Sequence, residues 1–223
     1  MSDTPVWILH KTWSGDTSAR ILFLTREQGV IRALCKGGRT PKKQACLQPF
    51  TPLWVALDER RGWFYVRHLE IAAPTVHLTH AHLFSALYLN ELLYHTLRPE
   101  DPHPEIYDAY TATLNILNVS PDMPALERSL RRFEWTLLSS IGYGISLRHD
   151  VNTQPIMASE YYVFHAGSGM LPAKQGILGA HLLALDQDCL DDPAVLRTAK
   201  HVMRQAVDHA LGGKEIKTRR LVT

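Results

Sequence analysis

Residues 19–38 read ARILFLTREQGVIRALCKGG. Two runs rich in apolar and β-branched residues, Ala19–Thr25 and Val30–Cys35, flank Glu27-Gln28-Gly29, which carries a turn signal. Runs of the same texture lie on both sides: Val6–His10 before, Leu53–Leu57 and Trp63–Arg67 after. Ser14-Gly15-Asp16, the segment from Lys36 to Pro52, and Asp58–Gly62 supply the remaining turns. Pro49 and Pro52 forbid a central strand between them, because proline has no N–H for a ladder. Five short strands predict a small closed barrel. A five-stranded Greek-key barrel of the oligonucleotide-binding kind and an SH3-like barrel both satisfy the count.

After Pro74 the pattern turns helical. Helices are expected over His80–Leu97, Glu105–Val119, Pro124–Ile141, Gly179–Leu185 and Pro193–Leu211. The third has Asp122 or Ser120 as candidate cap and Gly142 beyond its end; the last starts after Asp192 and stops at Gly212-Gly213. At about 100° per residue, Leu126, Leu130, Phe133, Leu137 and Ile141 share one arc of about 80°. Arg128, Arg131, Arg132 and Trp135 fall on the opposite face, where Glu127 is placed to pair with Arg131 at i,i+4. Residues 146–175 lose this periodicity and keep one strand-like run, Tyr161–Phe164. The expected class is α+β: a barrel over residues 1–76 and a mostly helical domain over 77–223, with 146–175 an irregular insert.

With 45% apolar and 21% charged residues, the 223-residue chain is not of the disordered class. No apolar run reaches membrane-spanning length and the N-terminus lacks a signal-peptide pattern, so a cytoplasmic protein is expected. Cys35, Cys46 and Cys189 form no C-x-x-C pair and are expected to be reduced, partly buried thiols. The net charge is +2, unevenly spread. Residues 1–80 hold eleven Lys/Arg against six Asp/Glu, and residues 81–150 five against nine. From Arg20 to Cys46, seven cations (Arg20, Arg26, Arg32, Lys36, Arg39, Lys42, Lys43) face Glu27 alone. Such focus attracts polyanions even on a nearly neutral molecule; a solubilising loop is the plainer reading.

Gly37-Gly38 opens no phosphate-binding P-loop, since the second glycine and the Lys-Ser/Thr pair are missing. Two glycines either let backbone approach a phosphate or simply make a turn. Trp7, Trp13, Trp54, Trp63, Phe64 and Tyr65 lie on the flanking strands and turns. Each is a core residue or a stacking platform for bases. His77, His80, His82, His149 and His165 have no accompanying cysteine or carboxylate cluster, so neither metal nor cofactor is expected. No G-x-S-x-G, H-E-x-x-H or D-x-D pattern occurs, and no enzyme is expected. A histidine-based phosphoesterase assembled from distant residues is the enzymatic alternative.

Five stretches taken together, "ARILFLTREQGVIRALCKGG", "LQPFTPLW", "ALYLNELLYHTLRPEDPHPEIYDAY", "LRRFEWTLLSSIGYG" and "LGGKEIKTRRL", resemble the bacterial RecO family of recombination mediators, in order from Val6 to Leu221. The resemblance implies an N-terminal OB-fold barrel, a helical domain and a small insert that holds zinc through four cysteines in some members. Residues 146–175 contain no cysteine, so no zinc carries over. It further implies binding of single- and double-stranded DNA, annealing of complementary strands, and work with RecR to load RecA on DNA coated by single-strand-binding protein (SSB). These are nucleoid-associated tasks of the RecF pathway. The implied DNA contacts are Arg20, Arg32, Lys36, Gly37, Gly38, Arg39, Lys42 and Lys43. Those for the acidic SSB tail are Arg128, Arg131, Arg132, Leu138 and Tyr143. The alternative is a barrel adaptor that binds RNA or only protein partners.

Overall fold

The computed structural model describes residues 3–119 and 122–221; the candidate cap Ser120 lies outside them. Strands β1 (Thr4–Ser14), β2 (Ser18–Thr25), β3 (Val30–Cys35), β4 (Leu53–Arg60) and β5 (Trp63–Ile71) close into a barrel in the order β1-β2-β3-β5-β4. All neighbours are antiparallel except β3 and β5, which run parallel where Ala33 faces Phe64 and Leu34 faces Tyr65. This strand order is that of the OB fold, which decides between the two barrels the sequence left open. Period-two alternation sends Ile21, Phe23, Ala33, Cys35, Leu53 and Val55 into the barrel with Val6, Ile8 and Val66. Between β3 and β4, where a loop was expected, Pro41–Cys46 forms a short helix, α1.

The bulge in β1 between Ile8 and His10 leaves Leu9 without a partner on β2. Bulges bend strands enough to close small barrels, at the cost of orphaned backbone groups. Here a helix supplies the partner. The Asn90 amide on α2 (His80–Thr96) donates to the carbonyls of Ile8 and Leu9 at 3.3 and 3.2 Å. Tyr110 on α3 (Pro104–Asn118) donates to the Asn90 Oδ1 at 2.6 Å. Burial pushes the Tyr110 phenol far above its usual range, so it remains a donor. Trp7 packs edge-on against Tyr110 at 5.8 Å between ring centres and donates to Thr111. Thus strands give way to helices between Ile71 and His80, but the compact unit does not end there. Contacts divide the chain into Met1–Ser120 with Ile216–Thr223, and Pro121–Glu215.

Residues 216–221 return to the first unit. Ile216 is buried, and the 3-10 turn Lys217–Leu221 lies on α2. The Glu91 carboxylate accepts the backbone N–H of Lys217 (2.8 Å), that of Thr218 (2.9 Å) and the Thr218 hydroxyl (2.7 Å). The Arg219 guanidinium stands 5.9 Å from the centre of the Tyr88 ring. Burial pushes the Glu91 carboxyl up, but the Thr218 hydroxyl, both amides and His95 outweigh it and hold the group below its usual 4.5. A depressed carboxyl adds stability above its unfolded-state value and loses it as pH falls through the folded value. Glu91→Gln is therefore expected to lower stability by about 1–2 kcal/mol at neutral pH. The gap from the parent should close as pH drops below 4.5; urea melts from pH 7 to 3 measure it.

The second unit contains α4 (Met123–Ser140), a three-stranded sheet in the order β7-β6-β8, α5 (Gly179–Asp186) and α6 (Pro193–Ala210). The strands are β6 (Tyr161–His165), β7 (Gly169–Ala173) and β8 (Ile177–Leu178). Asp122 caps α4 by accepting the Ala125 N–H at 2.8 Å, and Asp192 caps α6 through Ala194 at 2.7 Å. Leu126, Leu130, Phe133 and Leu137 are buried, as the arc predicts, and Ile141 is half-buried. Within residues 146–175, the Asp150 carboxylate accepts the N–H groups of Asn152 and Gln154. Leu147, Ile156, Tyr162, Phe164 and Met170 are buried there.

Candidate nucleic-acid interface

Every second residue of the barrel strands faces outward, and that outer wall carries the cations. Arg20 on β2 and Arg32 on β3 are exposed, diagonal across the pairs Arg20–Leu34 and Leu22–Arg32. The parallel β3–β5 pairing sets Tyr65 beside Leu34, and the chain leaves β3 after Cys35, at Lys36. The Lys36 ammonium lies 5.7 Å from the Tyr65 ring centre. Lys43, on α1, donates to the Lys36 carbonyl at 2.6 Å. Lys36, Lys43, Arg60, Tyr65 and Arg67 line a cleft of about 350 Å³ together with Asp58 and Val66. Asp58 lies 3.2 Å from Arg60 and 3.9 Å from Arg67. One carboxylate against four cations leaves the cleft positive.

Trp13, 45% exposed, has the Lys11 ammonium 5.1 Å and the Arg39 guanidinium 5.0 Å from its ring centre. Lys11 is held by the Leu47 carbonyl, and its burial lowers its pKa. Trp54 and Trp63 are exposed too, at 38% and 63%, whereas Trp7 is a core residue. Lys42 is exposed on α1. Arg26, counted among the basic run, is spent elsewhere: it forms a two-point bond to Asp108 on α3 (2.9 Å each) and meets Glu27 at 2.8 Å.

The glycine segment is more tightly tied than its sequence suggests. Gly37 sits at φ +68, which favours glycine, and its carbonyl accepts both the N–H and the hydroxyl of Thr40. Arg39 N–H donates to the Thr17 carbonyl at 3.1 Å. Gly38 is buried: a Cβ there would stand 2.9 Å from the Ala19 Cβ and 3.1 Å from the Cys35 carbonyl. Gly38 therefore serves close packing. Burial raises the Cys35 thiol, an effect Lys43 opposes. Cys35 is buried and Cys46 half-buried, but Cys189 is exposed, contrary to expectation.

The arginine face of α4 is not a bare row of guanidiniums. Arg131 turns inward and pairs at 2.8 Å with Glu134, their side chains only 11% and 1% exposed. The expected Glu127–Arg131 pair does not form, because Glu127 binds Lys200 at 2.6 Å. Arg132 holds both Asp188 oxygens at 2.9–3.0 Å, and Arg128 stands 3.4 Å from Asp191. Leu138 is buried at 2% exposure, which removes it from any docking surface. Tyr143 is 41% exposed. Gly142 at φ +84 ends α4 and the Tyr143 N–H caps the Leu138 carbonyl at 2.7 Å, so the ring is projected outward. It meets His209 edge-on at 5.7 Å on the rim of a cleft of about 430 Å³, with Ser146, His149, Val151 and Phe164. Among the described residues, no three His, Cys, Asp or Glu side chains are grouped to hold a metal, and no helix is long and apolar enough to cross a membrane.

Residues 1–75 match the family model for the N-terminal part of recombination protein O, and residues 80–220 match that for its C-terminal part. The chain is 51% identical over 217 residues to the DNA repair protein RecO of Legionella pneumophila strain Lens, covering 96% of this chain and 95% of that protein. Against the RecO of Pseudomonas putida strain GB-1 it is 38% identical, covering 97% and 95%. For Methylococcus capsulatus strain Bath the identity is 35%, over 96% of this chain and 90% of that one. With both halves matched in order and relatives this similar over nearly their whole length, the chain belongs to the RecO family.

Proposed function

We propose that this protein acts in DNA repair by homologous recombination as a mediator that holds DNA without breaking or making bonds. The observation that carries the reading is the barrel's outer face, where Lys36, Lys43, Arg60 and Arg67 surround Tyr65 and the cations Lys11 and Arg39 stand against exposed Trp13. Cations track phosphates and aromatic faces stack bases, the combination that single-strand-binding sites use. Arg20, Arg32 and Lys42 extend this surface, which would also take a duplex backbone. Neutralising phosphates on two strands lowers their repulsion, and base pairing supplies the free energy of annealing, so no nucleophile is required.

The same reading assigns the acidic SSB tail to the second unit. Tyr143 and the adjacent cleft offer the apolar seat, and Arg132 and Arg128 offer the charge. Both arginines already hold aspartates at the surface, and such exposed pairs exchange partners at a cost of about 1 kcal/mol or less. Arg131 and Leu138 serve the core of that unit instead. Association with RecR, delivery of RecA and a place at the nucleoid complete the proposal.

Binding of single-stranded DNA measured across salt tests it, since log K falls linearly with log salt when phosphates are neutralised. Lys42→Glu with Lys43→Glu is expected to weaken binding about tenfold or more at low salt. It should also reduce the slope by about 1.4, two contacts' worth, whatever the sequence. Undetectable binding of the parent at low salt would favour the RNA or protein adaptor instead.

A further inference from the structure

The second unit carries a further cleft whose lining shares no residue with the sites assigned above. It lies between the β6–β8 strands and α6, encloses about 400 Å³, and is lined by Tyr161, His181, Arg197 and His201. Two glycines build it. A Cβ at Gly176 would stand 2.6 Å from the Tyr162 carbonyl, and one at Gly179 would stand 2.1 Å from that of Met157. With neither Cβ present, β8 and the start of α5 press against β6, which sets His181 near Tyr161 at the mouth. On α6, Arg197, His201 and Arg204 recur at i, i+4 and i+7, one face of the helix, spanning about 10 Å along its axis.

The pairing pattern separates this row from ordinary surface charge. The unit has six arginines. Arg128, Arg131, Arg132 and Arg148 each hold a carboxylate, and Lys200 on α6 is bound to Glu127. Among the described residues Arg197 and Arg204 hold none. Both are exposed; Arg197 lines the cleft with Tyr161, which is 43% exposed, and Arg204 lies about two turns farther along α6. Gln205 meets the Nε2 of His201 at 2.8 Å and orients that ring.

We propose that this cleft, with the α6 face that continues it to Arg204, is a second binding surface for single-stranded nucleic acid, with Arg197 and Arg204 on phosphates, His181 and His201 as hydrogen-bonding partners, and Tyr161 stacking a base. Unpaired bases present the faces that an exposed tyrosine stacks, whereas a duplex hides them. A chain with strand-binding surfaces on both of its units can hold two strands at once.

The test uses the full chain and a short labelled oligothymidine at low salt. The parent should bind two oligomers per chain. Arg197→Glu with Arg204→Glu should bind one, with the salt slope lowered by about 1.4, and should anneal complementary strands more slowly. A 5-iododeoxyuridine oligomer should photo-crosslink to the peptide carrying Tyr161 in the unaltered chain. Unchanged stoichiometry and slope in the double variant, with its melting curve intact, would overturn the proposal. If that variant does not fold, the absence of a Tyr161 crosslink overturns it instead. The barrel is tested separately: Lys42→Glu with Lys43→Glu leaving binding intact while the Arg197/Arg204 variant loses it would reject the barrel reading and keep this one.

Discussion

Arg131→Glu is expected to unfold the Pro121–Glu215 unit, not to weaken a ligand. The guanidinium and the Glu134 carboxylate meet at 2.8 Å with almost no exposure. Replacing the cation sets two carboxylates together in a medium that solvates neither. Breaking one partner of a buried pair typically costs about 3–5 kcal/mol because the survivor is left charged and dry. Arg132→Glu, one residue on, alters a pair whose members are 51% and 58% exposed. That change should cost about 1 kcal/mol or less. Urea melts of both variants, followed by helical circular dichroism, decide the matter. Equal midpoints would mean that the Arg131–Glu134 pair contributes nothing, and only then would Arg131→Glu be a fair probe of peptide binding.

Gly29→Ala should be nearly as damaging to the barrel unit. Gly29 sits at φ +67, and a Cβ there would stand 2.2 Å from the Asp101 carbonyl oxygen and 2.5 Å from its carbon. Both obstacles are backbone, which no rotamer change relieves. The left-handed conformation alone costs an alanine about 1–2 kcal/mol. Its surroundings leave no slack: the Gly29 carbonyl accepts the N–H and hydroxyl of Thr25, and Glu100 N–H donates to the Val30 carbonyl at 3.0 Å. Forcing these segments apart brings the expected loss to about 3 kcal/mol or more. At about 2–4 °C per kcal/mol for a chain of this size, the melting midpoint should fall by about 6–12 °C. Gly15→Ala is the control, with φ +61 but nothing within 4 Å of the added carbon. It should pay only the conformational part.

The contrast between these glycines marks how far the sequence could be read. Local chemistry is written in it. The five strand runs, the alternation that buries Ile21 and Phe23, and the caps at Asp122 and Asp192 follow from neighbouring residues alone. Short elements escape: Pro41–Cys46 has too few residues for a helical period, and Ile177–Leu178 is only a pair. Long-range choices are also invisible. Arg131 had Glu127 and Glu134 at equally plausible spacing, and Glu127 took Lys200, 73 residues away. Leu138 falls outside the Leu126–Ile141 arc yet is buried, because both sides of that part of α4 are covered. The basic run from Arg20 to Lys43 was visible as composition. That Arg60 and Arg67 join it while Arg26 leaves it for Asp108 depended on the β3–β5 pairing and on α3. The α6 row had no sequence signature beyond its spacing, since its distinction lies in which arginines lack carboxylates.

Residues 216–218, which satisfy Glu91, emerge from the ribosome more than a hundred residues after it. Until then α2 offers a carboxylate and an apolar seat with nothing to fill them, while the whole Pro121–Glu215 unit is made and folds as an excursion between the two. The first unit must therefore wait in an unfinished state, its α2 surface covered only once residues 216–218 have been made.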